Sequence, residues 1–159
     1  MKKLVILGAG AGGTMVATKM REKLDPKEWQ ISVIDRDWKH HYQAGWLFVP
    51  FGIYSLDDCE KPKADFLHGV DFVQDTIQNV DPEKKVVTCS GGKYEYDWCV
   101  VATGCRIVPG EVEGMMDDWR GDIHDFYTPD GAEALFKKWK YMKEGRVVLN
   151  IAEMPIKCP

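Results

Sequence analysis

An α/β fold is predicted for this chain, a parallel sheet with an antiparallel β-meander inserted, and three observations predict it. An apolar run of strand length, Leu4-Val5-Ile6-Leu7, opens directly into Gly8-Ala9-Gly10-Ala11-Gly12-Gly13. A second run, Ile31 to Ile34, closes on Asp35 about twenty residues beyond the glycines, the spacing of a dinucleotide-binding βαβ unit. Further on, Ser90-Gly91-Gly92-Lys93 joins two short strand-like segments where a helical crossover is the usual continuation.

The first strand is followed by a helix over Thr14 to Leu24, and each glycine between them has a physical reason. Gly8 permits a tight turn, Gly10 lets the backbone approach a pyrophosphate, and Gly13 lets the helix pack closely on the strand. The pyrophosphate would rest on free N–H groups at the helix N-terminus, where the dipole favours negative charge. Asp35 would bond a ribose hydroxyl. The bland alternative is a Gly-rich turn of structural value only; strand, glycines, helix, strand and acid in that order favour the dinucleotide.

Arg36 to Gly69 reads as a long irregular stretch, rich in aromatics and interrupted by Pro50, Gly52 and Pro62; loops of such length are usually functional. A strand is expected over Asp71 to Val80, then the hairpin of Lys85–Cys89 and Tyr94–Tyr96, then a buried strand, Trp98 to Ala102, ending on Thr103-Gly104. After a loop with Pro109, Gly110 and Gly114, Thr128 is the expected N-cap and Pro129 the first residue of a helix running to about Lys143. Glu144-Gly145 stops it, and Arg146 to Ile151 reads as a last strand.

Composition bounds the function. A chain of 159 residues can bury a core, and a net charge of −4 without a basic cluster excludes a nucleic-acid footprint. No apolar run reaches membrane-spanning length, and the one after Met1-Lys2-Lys3 enters a glycine loop rather than a cleavage site. Five cysteines without a Cys-x-x-Cys pair suit a reducing compartment, so a cytoplasmic location is expected. Cys89 and Cys99 lie in strands and read as core, Cys59 as loop surface. His40 and His41 lack a third ligand nearby, so no metal site is expected, and Lys137, Lys138, Lys140 and Lys143 read as the wet face of the last helix.

A meander in place of a crossover marks a Rossmann-like FAD/NAD(P)-binding fold of the kind found in flavoproteins with two dinucleotide-binding domains. Gly8 to Gly13 with Asp35, and Tyr96-Asp97 followed by Val100-Val101-Ala102-Thr103-Gly104, resemble the FAD domain of the disulfide-reductase-like flavoproteins. Within them, His41-Tyr42-Gln43-Ala44-Gly45 with Phe48-Val49-Pro50-Phe51-Gly52 resembles the sulfide:quinone oxidoreductases and flavocytochrome c sulfide dehydrogenases, as does Val148 to Cys158-Pro159. The resemblance covers essentially the whole chain. It implies that residues 1–110 are the N-terminal part of an FAD-binding domain. Residues 111–159 would be the connection and the start of a second, NAD(P)-binding-like domain, in a longer protein.

The resemblance also implies a site. FAD would rest on Gly8, Gly10, Ala11, Gly12 and Gly13, with Asp35 and the adjacent Arg36 at the adenosine ribose. Gln43 matches a flavin-binding position, and Ala102, Thr103 and Gly104 place a tight turn against the cofactor. Ile77 falls where adenine is met, or is a core residue; Arg106 reaches the phosphates, or is a solvated charge. Cys158 would be the catalytic thiol, accepting sulfide and passing electrons to FAD and on to quinone; its alternative is an inert thiol. Asp125-Phe126-Tyr127-Thr128 holds no cysteine where some relatives bond FAD, and none stands beside Tyr42, so FAD is expected to be non-covalent. Quinone contact, peripheral membrane contact and possible homo-oligomerisation would belong to the longer protein. Two rival readings stay open: a type-II NADH:quinone dehydrogenase, and a non-catalytic FAD- or nucleotide-binding module.

Overall fold

The structure, a computed structural model, describes residues 1–152, so Cys158 lies outside the described residues. These divide into two units, Met1–Tyr42 with Glu60–Cys105, and Gln43–Cys59 with the chain from Arg106 onward.

The first unit holds strands β1 (Lys2–Leu7), β2 (Trp29–Asp35), β3 (Lys39–His41), β4 (Glu60–Pro62), β5 (Asp71–Gln74), β6 (Ile77–Asp81), β7 (Val86–Cys89), β8 (Lys93–Glu95) and β9 (Trp98–Val101), with helix α1 (Ala11–Lys23). Four of them form a parallel sheet in the order β5-β2-β1-β9, with Leu4 opposite both Ile31 and Trp98. Strand alternation decides what each face buries. Leu4, Ile6, Ile31 and Val33 pack with Ala17 of α1, while Val5, Leu7 and Ile34 pack with Val87 and Cys89 of the meander. Because both faces are covered, β1 reads as an unbroken apolar run, as buried parallel strands do. Each fully buried Leu or Ile contributes about 1.5–3 kcal/mol.

The meander is the antiparallel sheet β6-β7-β8, its turn closed by the Cys89 N–H donating to Gly92 O at 2.8 Å, as the Gly-Gly signal predicts. The strand expected over residues 71–80 is instead two strands in different sheets. Asp75 causes the break: its carboxylate accepts from the Thr76 N–H at 2.7 Å and from the Gly91 N–H across the turn. The chain therefore leaves β2 after Gln74 and joins β7 from Ile77. Helix α1 starts at Ala11, earlier than the expected Thr14, because packing of Gly13 on Gly8 outweighs the poor helix propensity of its glycine-rich first turn. The strand expected as buried, β9, does pair with β1 but lies at the sheet's edge, leaving Trp98 and Val101 mostly exposed.

The stretch read as irregular, residues 36–69, is partly ordered. Strands β3 and β4 form a two-stranded ribbon with Lys39 opposite Pro62 and His41 opposite Glu60, and Lys63–Asp65 turns as a 3-10 helix. Three-residue strands are too short to show a period in sequence.

The second unit contains 3-10 turns at Gln43–Phe48, Asp57–Cys59 and Pro109–Glu111, and helix α2 (Pro129–Tyr141). Its core is Trp46, Val49, Cys59 and Ala132, with Leu56 and Phe126 beside them. Cys59, expected on the surface, is 1% exposed: acidic neighbours mask it in sequence, but the 3-10 turn aims its thiol inward. The expected cap is present. Thr128 Oγ1 accepts from the Gly131 N–H at 3.0 Å, and Asp125 accepts from the N–H groups of Tyr127 and Thr128. The helix ends at Tyr141 rather than Lys143. No strand forms over residues 146–151, where Val148 and Leu149 are 74% and 78% exposed. Apolar β-branched residues make a strand only against a partner ladder, and among the described residues none pairs with this run.

Candidate functional site

The glycine loop is built by close backbone approach. Gly8 has φ +93°, and a Cβ there would stand 2.4 Å from the carbonyl oxygen of Ala102; a Cβ on Gly13 would stand 1.8 Å from that of Gly8. No larger residue fits at either position. The Gly8 N–H donates to Ile34 O and the Ala102 N–H to Leu7 O, both at 2.8 Å, so the C-terminal ends of β2, β1 and β9 are tied together around the turn. Ala102 and Thr103 thereby lie against Gly8, and Gly104 turns with φ +73°.

Gly10 and Gly12 differ from these two: a Cβ at either would meet no atom within 4 Å. The chain's own packing does not require glycine there, yet both sit at the first turn of α1, where Gly10 makes no side-chain cap and the first N–H groups have no intrahelical acceptor. That is the geometry a pyrophosphate needs, open space over donors at the positive end of a helix. Ala11 lies between them, the first residue of α1.

Asp35 closes the site from below. Its Oδ2 accepts from the Ala9 N–H at 2.6 Å and lies 2.9 Å from Lys63 Nζ, while Oδ1 accepts from the Asp37 N–H at 2.9 Å. Burial alone would raise its pKa. The hydrogen bonds from Asp37, Lys63 and Ala9, with the Lys63 charge, outweigh that and hold the carboxyl below its ordinary value. A carboxylate offers about four acceptor directions, and three are engaged. His40 Nδ1 lies 3.3 Å from the Ala9 carbonyl oxygen, at the same turn.

Gly8 to Gly13, Asp35, Ala102, Thr103 and Gly104 are therefore gathered at one end of the parallel sheet. Arg36 follows Asp35 with an exposed side chain, its Nε 3.6 Å from Asp37. Ile77 packs on the Val5, Leu7 and Ile34 side of the sheet. Gln43 and Arg106 belong to the second unit, where Gln43 Nε2 donates to Tyr127 O at 3.3 Å and Arg106 is exposed. Lys63 escaped the sequence reading. In Glu60-Lys61-Pro62-Lys63-Ala64-Asp65 it looks like any solvated charge, and only the register of the β3–β4 ribbon reveals its place. Among the described residues no group of His, Cys, Asp and Glu could hold a metal ion, and no helix is long and apolar enough to cross a membrane.

Residues 2–149 match the family described as pyridine nucleotide-disulphide oxidoreductase. The chain is 33% identical over 160 residues to the mitochondrial sulfide:quinone oxidoreductase of Dictyostelium discoideum, covering 98% of this chain and 35% of that protein. It is also 33% identical, over 119 residues, to the type II NADH:quinone oxidoreductase of Staphylococcus aureus, covering 73% of this chain and 29% of the relative. Among solved structures it resembles the sulfide:quinone oxidoreductase of Aquifex aeolicus, with a TM-score of 0.75, 25% identity, and 88% of this chain against 32% of that one. The chain thus spans about a third of the length of the curated relatives it matches.

Proposed function

The chain belongs to the pyridine nucleotide-disulphide oxidoreductase family, and from that premise we propose that it supplies the FAD-binding portion of a sulfide:quinone oxidoreductase-like flavoprotein. The observation that carries this reading is the pair of glycines, Gly10 and Gly12, opened over a helix N-terminus that the protein's own packing leaves free, with Asp35 fixed beside them. Similarity over nearly the whole chain to a sulfide:quinone oxidoreductase supports the narrower assignment. FAD is held non-covalently, with its pyrophosphate on the N–H groups of residues 10–13 and its adenosine ribose at Asp35. Bound flavin supplies a two-electron acceptor.

Cys158 is the sulfide-handling residue in this reading. Hydrosulfide attacks a disulfide that Cys158 forms with a distal cysteine; one sulfur becomes a persulfide and the other leaves as thiolate, and bound flavin would supply the two-electron acceptor for re-forming the disulfide, with quinone as the final acceptor. The reading of the chain as a type-II NADH:quinone dehydrogenase has equal identity to one relative in its favour, and needs no such thiol.

Anaerobic titration of the full-length protein separates the two. Bleaching of the flavin absorbance by sulfide, lost in Cys158→Ser, is the expected result. Bleaching by NADH and not by sulfide would assign the chain to the NADH dehydrogenases and leave Cys158 without a redox role.

A further inference from the structure

Lys63 is 4% exposed, a rare state for a lysine, because an ammonium taken out of water costs several kcal/mol unless it is paired. Two oxygens pair it here: Asp35 Oδ2 at 2.9 Å and the Asp37 carbonyl at 2.7 Å. Its backbone is equally constrained. The Lys63 N–H donates to Trp38 O at 2.9 Å, one step beyond the Lys39–Pro62 pair that ends the ribbon, so the chain delivers this side chain beneath the end of β2.

The consequence falls on Asp35. With Ala9 N–H and Lys63 on Oδ2 and Asp37 N–H on Oδ1, one acceptor direction of the carboxylate is left, on Oδ1, and 16% of the side chain is exposed. The same carboxylate is bonded to Ala9, inside the loop that would carry the pyrophosphate. An isolated negative charge there would oppose a dinucleotide's phosphates; an ion pair largely cancels that field.

We propose that Lys63 is a positioning residue for the dinucleotide: it pins and neutralises Oδ2 of Asp35, leaving Oδ1 as the single acceptor for an adenosine ribose hydroxyl. The inference rests on the FAD reading above and adds to it a residue that acts through Asp35 rather than on the cofactor.

The test is a double-mutant cycle on FAD affinity, measured by flavin fluorescence on the flavin-free full-length protein. Lys63→Met is expected to weaken FAD by about tenfold or more, equivalent to about 1.4 kcal/mol. In the Asp35→Asn background the same substitution should cost less than about threefold, since no buried unpaired carboxylate remains. Equal losses in both backgrounds, or a Lys63→Met protein that melts earlier yet binds FAD as the wild type does, would overturn the proposal. Lys63→Gln, which keeps a donor and removes the charge, takes the place of Lys63→Met if that variant does not fold. Failure of the wild-type protein to bind FAD at all would instead bring down the functional reading, and this inference with it.

Discussion

At the scale of single residues, the glycine loop makes two opposite predictions within six positions. Gly13→Ala forces a Cβ into the Gly8 carbonyl, and backbone cannot swing aside as a flexible side chain can. A loss of about 3 kcal/mol is expected, the upper end of what overpacking costs, read as a shift in the denaturant midpoint. Gly10→Ala meets nothing, so its stability should match the wild type while FAD affinity falls, because the added methyl occupies the space left for pyrophosphate. A Gly10→Ala protein that bound FAD normally would refute the placement. Asp35 adds a pH dependence whose direction is fixed by its partners. Its carboxyl titrates lower in the folded chain than in the unfolded one, so its contribution is complete above the ordinary aspartate value of about 4 and is lost as pH falls through the lower folded value. Asp35→Asn should therefore flatten the acid limb of a stability–pH curve below about pH 4 while lowering stability at neutral pH.

Among the elements, α2 shows how much of the fold lay open in the sequence. Thr128-Pro129 announced both cap and first turn because capping is local chemistry, a hydroxyl three residues from the N–H it accepts. Thr128→Ala should cost about 1 kcal/mol, measurable by thermal denaturation, because it removes the cap together with the half-buried hydroxyl to which Arg120 donates at 3.1 Å. The βαβ unit was legible for the same reason: strand, glycines and acid lie within one short stretch of chain. What stayed hidden depends on partners distant in sequence. Asp75 splits a strand because Gly91 lies across the meander, and Cys59 is buried in a cluster that draws Phe126 and Ala132 from more than sixty residues further along the chain. The run of residues 146–151 has the composition of a strand, but composition does not supply the ladder. Lys63 belongs to the same group; nothing within its neighbourhood in sequence points to Asp35, which the ribbon brings to it.

For the whole molecule, the proposed function separates into two parts that mutation should separate as well. The nucleotide end is held by the first unit's own core: Gly8 lies against Ala102, Gly13 packs on Gly8, and Asp35 accepts from the Ala9 N–H. Binding of FAD should therefore be indifferent to the thiol. Cys158→Ser is expected to keep FAD affinity within about twofold, a difference of about 0.4 kcal/mol, and to keep reduction by dithionite while losing reduction by sulfide. Gly10→Ala should do the reverse: weaker FAD, but in the fraction that does carry flavin, bleaching by sulfide at the wild-type stoichiometry. Precipitation with acid should leave the flavin of either variant in the supernatant, because non-covalent FAD has no bond to the polypeptide that survives unfolding. Thiol labelling gives an independent view of the same division. Cys59 and Cys89 are buried and Cys99 is half-buried, with burial pushing the thiols of Cys89 and Cys99 up, whereas Cys105 is exposed. A maleimide should therefore reach Cys105 first among these four, as read by peptide mass spectrometry. If blocking Cys105 alone abolished reduction by sulfide while Cys158→Ser did not, the redox role would pass from the later cysteine to the one that follows the Ala102-Thr103-Gly104 turn.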